Sequence, residues 1–130
     1  MSAADIIAKL DAQRTRWLDL PGDDGDGEGG KKRRLQVMRP LETDADRMAG
    51  RRLLGDLAEA LCEFVVGWEG FSEADILGPK HGSAEPLPFD RALCLRIVRD
   101  RTDYVVALGV ELKTAMQARL AEKAEAAKNS

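Results

Sequence analysis

The sequence predicts a mainly α protein: a small helical bundle of about four helices with one short β-strand or hairpin. Three observations carry that reading. Apolar residues recur every three or four positions from Met48 to Val65, and again from Val105 to Leu120, which is the period of a helix face. Residues 33–39 alternate instead, with Leu35 and Val37 on one side, and Pro40 stops the run. Gly and Pro cluster at 21–30 and 78–88, where they mark turns and loops.

The bounds are those of an ordinary globular domain. The chain has 130 residues, 44% hydrophobic and 33% charged, enough for one core but not comfortably for two. No apolar run approaches the roughly 20 residues that a membrane helix needs, and the N-terminus carries Asp5 before any long apolar stretch and lacks a basic-then-apolar leader pattern. A cytoplasmic protein without membrane contact is therefore expected. Net charge is −3. Its distribution is uneven: residues 1–30 carry three basic and seven acidic side chains, residues 31–60 eight and five. Neither segment has the dense positive field of a nucleic-acid binder.

In chain order, Ser2 followed by Asp5 resembles a helix cap. Ile6, Ile7, Leu10, Trp17 and Leu18 then suit one side of a helix over about residues 3–19, which Pro21-Gly22 ends. Its apolar stripe is narrow, so this helix suits late docking or a partner. Asp23 to Gly30 holds four glycines and four carboxylates and reads as a flexible linker. It is not a calcium loop, because the twelfth position from Asp23 is Arg34 rather than a glutamate. The expected organisation is an N-terminal helix at 1–20, an acidic Gly-rich linker at 21–32, and a helical domain at 33–130. Deleting residues 1–30 is then expected to leave the core folded.

Lys31 to Arg34 form a basic tetrad, read as the solvated start of the strand at 33–39. A lone strand is unstable, so it must pair with residues near 67–71 or with a second copy of the chain. Thr43 and Asp46 open the strongest amphipathic helix, about 44–66, with Gly67 just past its end. Ser72 and Asp75 cap a short turn, and Asp90 caps a helix bearing Leu93, Cys94, Ile97 and Val98. After a joint at 100–103 the last helix runs from about Asp103 to Ala127, its end rich in Lys, Glu and Ala. Gly109 inside it is read as a mark of close approach by another helix, so that Gly109→Ala would destabilise.

Catalytic patterns are missing: there is no Ser/His/acid or Cys/His set, no phosphate loop, and no pair of metal-ligand motifs. Neither an enzyme, a cofactor nor a metal site is expected. His81 is alone in a Gly/Pro loop, and Cys62 and Cys94 read as buried free thiols. Glu69 lies in an apolar turn, where burial would raise its pKa, and a turn role suits it better than catalysis. Trp68 is either a core plug or a binding hot spot, and a ring that floors a groove is both.

Several features together resemble the tail assembly chaperones of long-tailed bacteriophages and prophages. These are Arg39-Pro40 ending a basic strand, Val66-Gly67-Trp68-Glu69-Gly70 after a helix, an acidic turn, Pro86-Leu87-Pro88-Phe89-Asp90 opening the next helix, and a charged tail ending in Lys128-Asn129. The resemblance covers about residues 33–130. It implies a small, mostly helical, non-enzymatic protein of the host cytoplasm. Such a protein binds the tape-measure protein, the tail-tube protein or both during tail morphogenesis, and self-association is common in the family. On that basis Trp68, Phe71, Leu87 and Phe89 are the expected partner-binding residues. A head–tail connector or tail-completion subunit retained in the virion is the alternative. A DNA-associated regulator using Lys31 to Arg34 with Arg47, Arg51 and Arg52 is a third reading, opposed by the net negative charge.

Overall fold

In the computed structural model, residues 1–22, 32–51 and 53–129 are described. The acidic linker expected at 21–32 and the excluded calcium loop therefore lie, from Asp23 to Lys31, outside the described residues. Helix α1 (Ala3–Arg14) opens on the expected capping box, in which Ser2 and Asp5 each accept the other's backbone N–H at 3.1 Å. It ends sooner than the periodicity suggested. The Thr15 hydroxyl donates to the Asp11 carbonyl at 2.7 Å, and Thr15–Asp19 then runs extended as strand β1. No residue of α1 is buried.

Strand β2 (Arg34–Met38) lies between β1 and β3 (Val65–Glu69), antiparallel to both. Leu35 pairs with Leu18 on one side and Trp68 on the other; Val37 pairs with Arg16 and Val65, past an irregularity at Gln36/Val37. The expected alternation is present, since Leu35 and Val37 are each 1% exposed while Arg34, Gln36 and Met38 are half-buried. Gly67 sits within β3, where a Cβ would stand 2.7 Å from the Gln36 side-chain oxygen. That oxygen ends a movable side chain, so Gly67 is a residue of the strand and not the helix-ending glycine expected.

The amphipathic stretch at 44–66 is not one helix. A 3-10 helix (Glu42–Met48) comes first, opened by Leu41 rather than Thr43. A turn with Gly50 at φ +75° breaks the chain, and α2 (Leu54–Cys62) follows, burying Ala58, Ala60, Leu61 and Cys62. Val65 and Val66 enter β3 instead of continuing α2; β-branched side chains keep more of their freedom in a strand, and Val65 becomes fully buried there.

Helix α3 (Glu73–Leu77) carries the capping box expected of Ser72 and Asp75. Asp90 caps α4 (Arg91–Arg99) through the Leu93 N–H at 2.8 Å. After a turn at Asp100, α5 (Thr102–Lys128) runs for 27 residues, about 40 Å at the standard rise. Its buried side chains are Tyr104, Val105, Leu108, Leu112 and Ala115, a stripe of three- and four-residue steps. Past Ala115 it buries nothing more.

Helices α2, α4 and α5 pack on one another and share one apolar cluster with the inward residues of the sheet, among them Leu35, Val37 and Val65. Leu20, just past β1, belongs to that cluster. The expected bundle with one strand is thus corrected: the described residues form six helical segments and a three-stranded antiparallel sheet, a mixed α/β fold. Its sheet joins residues on both sides of the 21–32 segment. No helix among the described residues is long and apolar enough to cross a membrane.

Candidate interaction surface

The four residues expected to bind a partner are brought together. Trp68 and Phe71 lie 4.7 Å apart between ring centroids, tilted by 32°, and Phe89 meets Trp68 edge-on at 5.4 Å. The Trp68 indole N–H donates to the Leu87 carbonyl at 2.9 Å, and the Leu87 N–H to the Phe71 carbonyl at 2.8 Å. These contacts, with the bridge between Ser72 and Pro86, close the neck of the α3 excursion. Phe71 is buried at 4% exposure, and Trp68 and Phe89 pack half-buried against the same core. Beneath them Leu35, Cys94, Ile97 and Tyr104 leave no water-sized space. The quartet is a closed aromatic joint whose polar indole is satisfied internally, not an open groove.

The charged candidates are also largely engaged. Arg33 pairs with Asp75 at 2.7 Å and Arg34 with Glu69 at 2.8 Å. Arg34 also stands over the exposed Trp17 ring at 4.7 Å from its centroid. Glu69 is exposed at the end of β3, not enclosed in an apolar turn. Arg47 meets Glu63 at 3.0 Å, and the Arg51 Nε donates to the Arg47 carbonyl at 2.9 Å. Lys31 lies outside the described residues.

Cys62 on α2 and Cys94 on α4 are free and buried. A hydrogen bond with Cys62, reinforced by burial, pushes the Cys94 thiol well above its ordinary value. The Arg91 guanidinium donates to the Cys62 carbonyl at 3.0 Å, closing the C-terminus of α2. His81 is exposed. Among the described residues no group of three or more His, Cys, Asp or Glu side chains is placed to hold a metal ion.

The surface that the sequence only hinted at, through a first helix suited to late docking or a partner, lies between α1 and the distal half of α5. A groove of about 450 Å³ runs there, walled by Ile7, Leu10 and Leu41, by Arg14, Arg16, Arg39 and Arg119, and by the acidic Asp11 and Glu122. Ile6, Ile7 and Leu10 are 47%, 58% and 53% exposed, so the apolar side of α1 continues the groove onto open surface. The only trace of this in the sequence is the narrow stripe of α1; that α5 would stand opposite is a matter of folding. Comparison with protein-family models, with curated proteins and with solved structures returns no match to this chain.

Proposed function

We propose that this protein is a non-enzymatic phage tail assembly chaperone, which binds the tape-measure protein, the tail-tube protein or both in the host cytoplasm during tail morphogenesis. The observation that carries the reading is the apolar surface of α1. A 12-residue helix that buries none of its side chains contributes its apolar residues to no core, and contiguous exposed apolar surface beside a groove marks a protein-binding site. A reversible cover for amphipathic helices needs such a surface. The turn sequences around Trp68 and Phe89 support the same reading through their resemblance to the family. In this account the aromatic joint holds the scaffold rigid and α1 with α5 meets the partner.

The test is co-expression with the long helical protein encoded beside the gene, followed by size exclusion with light scattering. The expected result is a soluble complex with a partner that is insoluble alone. No complex, together with this chain in purified particles, would reassign it as a connector or tail-completion subunit.

A further inference from the structure

We infer that the groove between α1 and α5 receives an amphipathic partner helix whose apolar stripe is flanked by acidic side chains. The inference deepens the chaperone reading and rests on it, because it supplies the chemistry of the partner segment.

Charge argues for the occupant. Four arginines, Arg14, Arg16, Arg39 and Arg119, line the groove against two carboxylates, Asp11 and Glu122, so its lining carries a net positive charge. Arg14 is matched within the chain by Asp11 at 2.9 Å. Arg39 makes no ion pair among the described residues; its Nη1 donates only to the adjacent Pro40 carbonyl, at 2.8 Å. The Nε of Arg119 is buried without a hydrogen bond, and the Glu42 carboxylate stands 3.7 Å from it, too far to accept one. Glu42 is shared between Arg119 and Lys123, whose ammonium it meets at 2.8 Å. Burial first, then the like charges of Arg119 and Arg14, hold Arg39 below the ordinary guanidinium value, against the opposing pull of Glu42 and Glu122.

A carboxylate from outside would give Arg39 the ion pair that it lacks. Arginine forks favour carboxylates that reach them in a partly desolvated site. Ile7, Leu10 and Leu41 alongside require that the carboxylate arrive on an apolar element. A helix with three- and four-residue apolar anchors and glutamates on its flank meets both demands.

The probe is a designed, fluorescein-labelled helix of about 20 residues, with a leucine stripe flanked by glutamates; its control carries lysines in their place. Fluorescence anisotropy with the full chain is expected to show the acidic helix binding at least about tenfold tighter than the basic one. Arg39→Glu is expected to weaken the acidic helix by about tenfold or more and to strengthen the basic one. Leu10→Asp, on an exposed position that leaves the core untouched, is expected to weaken both.

Equal binding of the two helices, no saturable binding up to about 100 μM, or no effect of either substitution overturns the inference. So does a dimer in light scattering that Leu10→Asp dissociates, which would assign the face to a second copy of the chain. Binding of the acidic helix without co-elution of the neighbouring gene product removes the chaperone reading alone. Co-elution that survives both substitutions removes the groove alone.

Discussion

The Trp68 indole N–H donates to the Leu87 carbonyl at 2.9 Å across 19 residues of chain. One bond thus joins the end of β3 to the segment entering α4, while Phe71 and Phe89 pack on the same ring. The spacing between the Trp-Glu-Gly and Pro-Phe-Asp elements is the length of the α3 excursion that this joint closes. The turn sequences are therefore explained by architecture before any partner is considered.

Trp68→Ala is expected to lower stability by about 3 kcal/mol, because it opens a cavity and leaves the Leu87 carbonyl without its donor. Trp68→Phe keeps an aromatic ring but loses the bond and part of the indole's bulk, so a smaller loss of about 1–2 kcal/mol is expected. Chemical denaturation of the two variants checks the order. Equal losses would show that the packing of the ring carries no weight beyond the bond.

Removal of residues 1–30 is expected to abolish cooperative unfolding, contrary to the expectation from the linker alone. It strips β1 from β2 and takes Leu20, 8% exposed, from the core. Burying one such leucine contributes about 2 kcal/mol, and the ladder loses an entire strand. Removal of residues 1–13 takes only helix that buries nothing, and less than about 1 kcal/mol should be lost. Thermal melts of the two truncations separate a structural β1 from an accessory α1.

Two glycines are expected to respond with opposite signs. Gly70 has φ +90°, and a Cβ there would collide with the Lys32 carbonyl oxygen, so Gly70→Ala is expected to cost about 2 kcal/mol or more. Gly109 lies inside α5, and a Cβ there would meet only the Leu61 side chain at 3.9 Å, an ordinary contact. Gly109→Ala is expected to stabilise by about 0.5–1 kcal/mol. This reverses the expectation that a tight crossing demanded the glycine. Urea midpoints of both variants decide it.

Asp103 supplies a pH dependence. Its carboxylate accepts from Arg101 at 2.8 and 3.0 Å, and that hydrogen bond holds its pKa below the ordinary aspartate value. With the folded value depressed, the contribution is present above about pH 3.9, the unfolded value, and lost as pH falls through the folded one. The pair is partly exposed, so a few tenths of a kcal/mol is expected at neutral pH. Asp103→Asn is expected to remove that share of the acid-side slope. An unchanged slope below pH 4 would place the acid sensitivity elsewhere.

Three helix starts were legible because their energetics are local, whereas the start expected at Thr43 was not found. Ser2 with Asp5, Ser72 with Asp75, and Asp90 with the Leu93 N–H each act over three residues, a span that a sequence pattern covers completely. The alternation of Leu35 and Val37 was equally plain, since a pleated strand with one covered face has period two. The Leu108 and Leu112 face of α5 followed from a long periodic run.

The strand character of Thr15–Asp19 was not legible. Those five residues carry too short a pattern to outweigh the helix before them, and they are extended because β2 offers them a ladder from across the 21–32 segment. Val65 and Val66 likewise left their amphipathic run for β3, whose register is set by Leu35 and Val37 some 30 positions away. The placement of Trp68 inside a joint required Phe71, Leu87 and Phe89 to converge, and only their convergence shows the ring closed rather than offered. The meeting of Leu10, Arg39 and Arg119 in one groove is decided the same way. The sequence by itself determined caps, turns and the covered faces of β2 and α5, through interactions a few residues long. Tertiary structure decided which segments became strands and which arginines faced apolar surface, because strand pairing and charge crowding depend on neighbours that the chain brings together only by folding.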